Sequence, residues 1–276
     1  MEFTKMQGIG NDFIIIYGEQ RLPLNVSELA RDWCDRHFGI GADCLVYLLP
    51  SEKADILMRI INADGTEPEQ CGNAIRCAAK YMYDRGIVKQ VDITIETIGA
   101  GVQPIHILVE NGVAVAARVD MGSPILAATA IPTTLDGEQV VAVPIEAGGR
   151  TFHFTGVSMG NPHCVIYMDD AVHVELAEWG PLLETHAFFP RKTNVEFVTV
   201  LHPNHLVMRV WERGVGPTLA CGTGACAVLV ASVLNGYSER KATVSLAGGD
   251  LEIEWSEADG KVYMTGPAVE VFQGTV

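Results

Sequence analysis

The chain has little positive charge: 19 Lys and Arg stand against 34 Asp and Glu, a formal net charge of −15. Nucleic acid and anionic membrane surfaces repel such a protein, so neither is expected as a partner. No apolar run approaches the roughly 18–20 residues of a membrane span. The opening MEFTKMQGIGNDF lacks the basic segment and apolar core of a secretory signal. No C-x-x-C pair occurs among the seven cysteines, an odd number that suits neither a disulfide framework nor a zinc ribbon. A reducing cytoplasm is the expected setting, with the cysteines as thiols. GIGNDF and GIGAD are rich in glycine, but neither is a G-x-G-x-x-G fingerprint or a phosphate-binding loop, so dinucleotide binding has poor support. GNPHC offers His163 beside Cys164 without the further His and Asp spacings of a metal centre, and no metal is expected.

What the chain does have is a core and a repeat. Hydrophobic residues make up 48% and charged residues 19% of 276, enough to fold as two modest domains. Laid over itself at an offset of 150, Gly10-Asn11 falls on Gly160-Asn161, LMRI at 57–60 on VMRV at 207–210, and Cys71-Gly72 on Cys221-Gly222. Several motifs holding one register point to two copies of one unit. Short Val- and Ile-rich runs such as DFIIIYG, DCLVYLL, DILMRII, NVEFVTV and HLVMRVW, bounded by Gly, Pro, Asn and Asp, predict strands. SELARDWCDRHFG predicts a helix capped by Ser27 and closed at Gly39. GTGACAVLVASVLNG, apolar nearly all round, predicts a helix buried on every side, and GNAIRCAAKYMYDRG is its more polar counterpart. The expected fold is α+β: two pseudo-symmetric domains, each a mostly antiparallel sheet curled around a central buried helix. RVDMGSPILAATAIP (118–132) is the expected crossover. The domains are expected to span 1–120 plus 265–276 and 121–264.

Both Cys-Gly pairs are predicted at helix starts, where backbone N–H groups are unpaired and the helix dipole favours negative charge. A thiol there is expected to have its pKa lowered and to act near neutral pH. The glycine that follows lets a ligand approach, and the next amides suit a carboxylate. Inverting a stereocentre beside a carboxylate needs a base on one face and an acid on the other, and two halves meeting at one cleft would supply a cysteine to each. Cys71 and Cys221 are therefore the catalytic candidates. Cys34, Cys77, Cys164 and Cys226 are expected to be inert core, the usual state of a buried cysteine. Asn11, Asn62, Asn161 and Asn194 would ordinarily be turn residues. Three of them fill matching slots at strand ends, which makes them candidate substrate ligands. Glu212 falls on Asn62 in the repeat, so Glu212-Arg213 is placed with them instead of as a surface ion pair. His163, after the second Gly-Asn, is a candidate neighbour of a thiol. Other readings of the same residues are a racemase of another amino acid, of the histidine or proline kind, and a thiol redox sensor that toggles a Cys71–Cys221 disulfide.

GNDF, GIGAD, MRIINADGTEPEQCGNAIRC, GNPHCV, TNVEF, WERGVGPTLACGTGACA and TGPAVEVF, in that order along the chain, resemble the diaminopimelate epimerases. The resemblance implies interconversion of LL- and meso-2,6-diaminoheptanedioate without pyridoxal phosphate or any other cofactor. Cys71 would be proton donor and Cys221 acceptor in one direction, with the roles exchanged in the other. It further implies that Gly72-Asn73 and Gly222-Thr223 hold the reacting carboxylate. Asn11, Asn62, Asn161, Asn194 and Arg213 would recognise the far end of the substrate, while Glu212 and His163 tune the thiols and bind the α-amino group. A homodimer is also implied. Where the family often carries a substrate-binding glutamine after GIGAD this chain has Cys44, which pairs with Asn194 at the offset and is expected to line the site. A thiol cannot replace both hydrogen bonds of an amide.

Overall fold

The structure is a computed structural model that describes residues 1–68 and 71–276. The chain divides into two compact units, Met1–Asp120 with Thr265–Val276, and Met121–Met264. The first contains β1 (Glu2–Gly8), β2 (Asn11–Tyr17), α1 (Val26–Cys34), β3 (Cys44–Leu49), β4 (Ile56–Asn62), α2 (Gly72–Asp84), β5 (Asp92–Thr97), β6 (Gly101–Glu110) and β7 (Val113–Asp120). The second contains β8 (Val140–Ala147), β9 (Arg150–Ser158), β10 (Pro162–Tyr167), α3 (Leu176–Glu184), β11 (Asn194–His202), β12 (His205–Glu212), β13 (Gly216–Thr218), α4 (Gly222–Leu234), β14 (Lys241–Leu246) and β15 (Gly249–Trp255). β16 (Val262–Pro267) runs across the boundary, and β17 (Val269–Thr275) belongs to the first unit.

The two units are built alike. In the first, the strands pair in the order β17-β1-β2-β3-β4-β5-β6-β7, with only β2–β3 and β4–β5 parallel. In the second the order is β8-β9-β10-β11-β12-β14-β15, with only β10–β11 and β12–β14 parallel. The alternation of parallel and antiparallel neighbours is the same. Even the register repeats, since Phe13 faces Cys44 as His163 faces Asn194. The C-terminal strand β17 lies against β1 just as β8 lies against β9.

Each sheet curls around one helix. α2 touches β1, β2, β4, β5, β6, β7 and β17, while α4 touches β9, β10, β11, β12, β14 and β15. The sequences explain why these helices tolerate a central place. Ala74, Ala78 and Ala79 of α2, and Gly224, Ala225, Ala227 and Ala231 of α4, are all buried, and small side chains let strands approach from several directions. Both helices end identically. Gly86 and Gly236 take φ of 66° and 72°, conformations costly for a residue with a Cβ. The next amides, Ile87 and Tyr237, reach back to the carbonyls of Met82 and Ser232 at 3.0 and 2.8 Å, which closes both helices with the same glycine-based motif.

One boundary differs from the sequence expectation. α1 starts after Asn25 instead of Ser27, and ends at Cys34 well before Gly39. The Ser27 hydroxyl donates to the Gly65 carbonyl at 2.9 Å, and the Asp35 carboxylate accepts from the His37 and Phe38 amides at 2.7 and 2.8 Å. That local turn competes with a further helical turn and wins.

Candidate active site

Cys71 and Cys221 are the N-cap residues of α2 and α4, in extended conformation at φ/ψ of −146°/101° and −128°/104°. Their carbonyls accept the first helical hydrogen bonds, from Ile75 at 3.1 Å and Ala225 at 3.0 Å. The glycines behind them, Gly72 and Gly222, open the helices and are buried. Gly10 and Gly160, just ahead of β2 and β10, share a left-handed φ of 87° and 96°. All seven cysteines are free thiols.

In the first unit, Asn11 at the start of β2 is the hub. Its Oδ1 accepts from Cys71 Sγ at 3.5 Å and from Asn73 Nδ2 at 3.1 Å, and its Nδ2 donates to Asp43 Oδ2 at 2.7 Å. Asp43 is in turn held by Arg36 at 2.8 Å, and Arg36 also pairs with Asp12, which Lys5 reaches at 2.7 Å. Burial pushes the Asp12 carboxyl up, but hydrogen bonds from Arg36 and Lys5 outweigh that and hold it at about 2. Cys44 opens β3 next to this cluster, and its thiol donates to Asn62 Oδ1 at 3.4 Å. Burial pushes that thiol well up, with a further push from Cys71. Asn62 also donates to Thr66 at 3.0 Å. The buried Oδ1 of Asn73 has no partner, an acceptor left open at the helix start.

The second unit arranges its residues around carboxylates. His163 is fully buried on β10, with Nδ1 2.7 Å from Glu196 Oε1 and Nε2 3.0 Å from Asn161 Oδ1. Asn161 Nδ2 donates to Thr223 Oγ1 at 3.2 Å, and Thr223 Oγ1 lies 3.6 Å from Cys221 Sγ. Glu212, the last residue of β12, accepts from the Thr218 hydroxyl. Asn194 is buried and its amide is engaged at both ends: Nδ2 donates to the Pro162 carbonyl, and Oδ1 accepts from the Arg213 amide, each at 2.9 Å. It therefore shapes the loop that carries Arg213. Glu184 helps from α3, accepting from Trp211 Nε1 at 2.7 Å and from the Gly214 amide at 3.0 Å. The Arg213 side chain is exposed and donates to the Arg191 carbonyl at 3.4 Å.

The expectation of a lowered Cys221 pKa is overturned. Burial drives this thiol well above its ordinary value, Glu212 and Glu196 push it further, and the Thr223 hydroxyl and Gly224 amide only partly oppose them. A helix N-terminus favours an anion, but desolvation and two nearby carboxylates are stronger. Cys34 and Cys77 are raised to about 12 by burial, as suits core thiols, and Cys164 is raised too.

Polar neighbours that the sequence does not single out include Asp43, Thr66, Thr218 and Glu196. Glu196 could have been, because an acidic residue in the otherwise apolar run Val195–Val198 must be either exposed or partnered. Asp43 lay inside the GIGAD motif itself. Thr66 and Thr218 carry no signal beyond closeness to the cysteines.

The sequence profile of the diaminopimelate epimerases matches residues 3–127 and 155–271. The chain is 56% identical over 277 residues to a diaminopimelate epimerase from Pelotomaculum thermopropionicum, covering 99% of this chain and 98% of that one. It is 52% identical over 279 residues to one from Desulfitobacterium hafniense, covering 100% and 98%. A phenazine biosynthesis protein of the PhzF family from Bacillus anthracis shares the fold, with a TM-score of 0.72 over 100% of this chain and 98% of that one at 17% identity. The chain belongs to the diaminopimelate epimerase family.

Proposed function

We propose that this protein is an isomerase that interconverts LL- and meso-2,6-diaminoheptanedioate without a cofactor, with Cys71 and Cys221 as its two proton carriers. The observation that carries the reading is the duplication. Two cysteines occupy the N-cap of two identically built helices, each ahead of a buried glycine and a turn of backbone donors. We infer that these two cysteines act on opposite faces of one α-carbon. The thiolate of one takes the α-proton and the thiol of the other returns a proton to the opposite face. The electron pair left on carbon is held by the neighbouring carboxylate, itself bound at a helix N-terminus. One thiolate and one thiol enter, and one of each leaves, with their places exchanged.

Gly72, Asn73, Gly222 and Thr223 would hold the reacting carboxylate. Asn11, Asn62, Asn161, Asn194 and Arg213 would shape or line the pocket for the distal amino-acid end, and Glu212 and His163 would act on Cys221. Cys44 would stand where an amide is usual, with its thiol on Asn62. Such an enzyme would serve lysine and peptidoglycan-precursor synthesis, and we place it in the cytoplasm as a homodimer. No helix among the described residues is long and apolar enough to cross a membrane.

Proton NMR of the reduced protein in D2O tests this. LL-diaminopimelate should lose its α-proton signal and give the meso isomer, while histidine and proline in parallel samples stay unchanged. Exchange confined to histidine or proline would keep the mechanism and remove the substrate; exchange with none of the three would remove both.

A further inference from the structure

Cys221 stands at the end of an unbroken hydrogen-bond chain. From its sulfur the chain runs 3.6 Å to Thr223 Oγ1, 3.2 Å to Asn161 Nδ2, 3.0 Å from Asn161 Oδ1 to His163 Nε2, and 2.7 Å from His163 Nδ1 to Glu196 Oε1. Glu196 and His163 are both completely buried. The second carboxylate oxygen of Glu196 has no hydrogen-bond partner. A Cβ on Gly224 would meet Glu196 Oε1 at 2.8 Å and Cys221 Sγ at 3.2 Å, so a side chain at this helical position would displace both ends of the chain.

The directions of these bonds follow from the atoms. A carboxylate and an amide oxygen only accept, so both His163 nitrogens face acceptors and both must donate. Of the described groups around the Glu196 carboxylate, His163 is the one in hydrogen-bond contact with it. Asn161 Oδ1 accepts a hydrogen bond from His163 Nε2, and its Nδ2 donates to Thr223. The Thr223 hydroxyl, having accepted, is free to donate onward to sulfur. His163 Nδ1 is thus turned to Glu196, and from Nε2 onward every donor points towards Cys221.

We propose that Glu196 is a positioning residue that fixes the direction of this chain, so that Thr223 delivers a hydrogen bond to the Cys221 thiolate. The inference rests on Cys221 being one of the two proton carriers. Without the carboxylate to hold Nδ1, His163 Nε2 is no longer fixed as a donor, the Asn161 amide turns over, and Thr223 donates to Asn161 instead of to sulfur. Glu196 thus has opposed effects on Cys221: its charge repels the thiolate directly, while the chain it anchors supports it. The other group pressing on Cys221 is Glu212 from β12, and Glu196 itself faces His163 and Cys164 on β10.

Carbon-13 NMR of cysteine-labelled protein reads the Cys221 thiolate fraction without substrate. In Glu196→Gln that fraction should fall about tenfold at a fixed alkaline pH, an upward shift of about one unit in the midpoint. Thr223→Val should move it in the same direction. A rise of the thiolate fraction in Glu196→Gln means that the carboxylate acts only as a nearby negative charge, and no change means that it serves packing alone; either result overturns the proposal. If Glu196→Gln does not fold, Thr223→Val decides: an unchanged or increased thiolate fraction removes the chain. Because no turnover is involved, the titration stands or falls separately from the epimerase reading.

Discussion

Cys71 and Cys221 share a backbone conformation and differ in the described groups placed around the sulfur. Among the described residues, Cys71 Sγ donates to the Asn11 amide oxygen, Asn11 is bonded in turn to Asp43, and Asp43 is ion-paired with Arg36. Around Cys221 two carboxylates act on the thiol, and one of them, Glu196, is completely buried with His163. At the repeat offset Glu196 matches Val46, and Glu212 matches Asn62. A duplicated scaffold thus kept its helix ends and diverged in charge. If Cys71 and Cys221 are the proposed proton carriers, they would benefit from that difference, because unequal environments push two titrating groups apart and assign the resting acid and base.

The largest test of the comparison removes either sulfur. Cys71→Ala and Cys221→Ala should each reduce epimerisation by about 10²- to 10⁴-fold, the usual contribution of a positioned acid or base. If one variant retains most of its activity in the NMR assay, the two units are not equivalent partners. A smaller effect lies in the neutralised network of the first unit. Asp12 is held at about 2 by Arg36 and Lys5, below its ordinary value near 3.9. Its contribution to stability is complete above about pH 4 and is lost as the pH falls towards 2, roughly 2 kcal/mol in all. Thermal melts between pH 5 and 2 should show a shallower acid decline in Asp12→Asn than in the unaltered protein. Equal slopes would place the acid sensitivity elsewhere. The smallest change concerns the second unit alone. Glu212→Gln removes a charge that holds the Cys221 proton on, so the thiol midpoint should fall by about one unit, opposite in sign to the effect of Glu196→Gln. A rise would show that Glu212 supports the thiolate through a partner.

Much of this architecture is visible in the chain itself because it is written locally. The Cys-Gly pairs, the apolar helix after Cys221 and the closing glycines Gly86 and Gly236 are short patterns with direct backbone consequences. The offset of 150 survives to the level of strand register, since the same alternation of parallel and antiparallel partners is needed to wrap each helix. The end of α1 was not visible, because the Asp35 turn and the Ser27 contact with Gly65 involve competition that propensity does not rank. Nor was the part played by Asn194, which reads as a free polar ligand and is instead bonded at both ends.

The sequence by itself determined that there are two copies of one unit, that a cysteine opens the central helix of each, and that the family pattern runs the length of the chain. Those properties depend on residue type and spacing along one dimension. Only the tertiary structure decided the state of the thiols. The rise in the Cys221 pKa comes from burial and from carboxylates on β11 and β12, brought next to a helix start by strand pairing. Desolvation and Coulomb energy depend on distance through space and on exclusion of water, and neither is encoded at the cysteine itself.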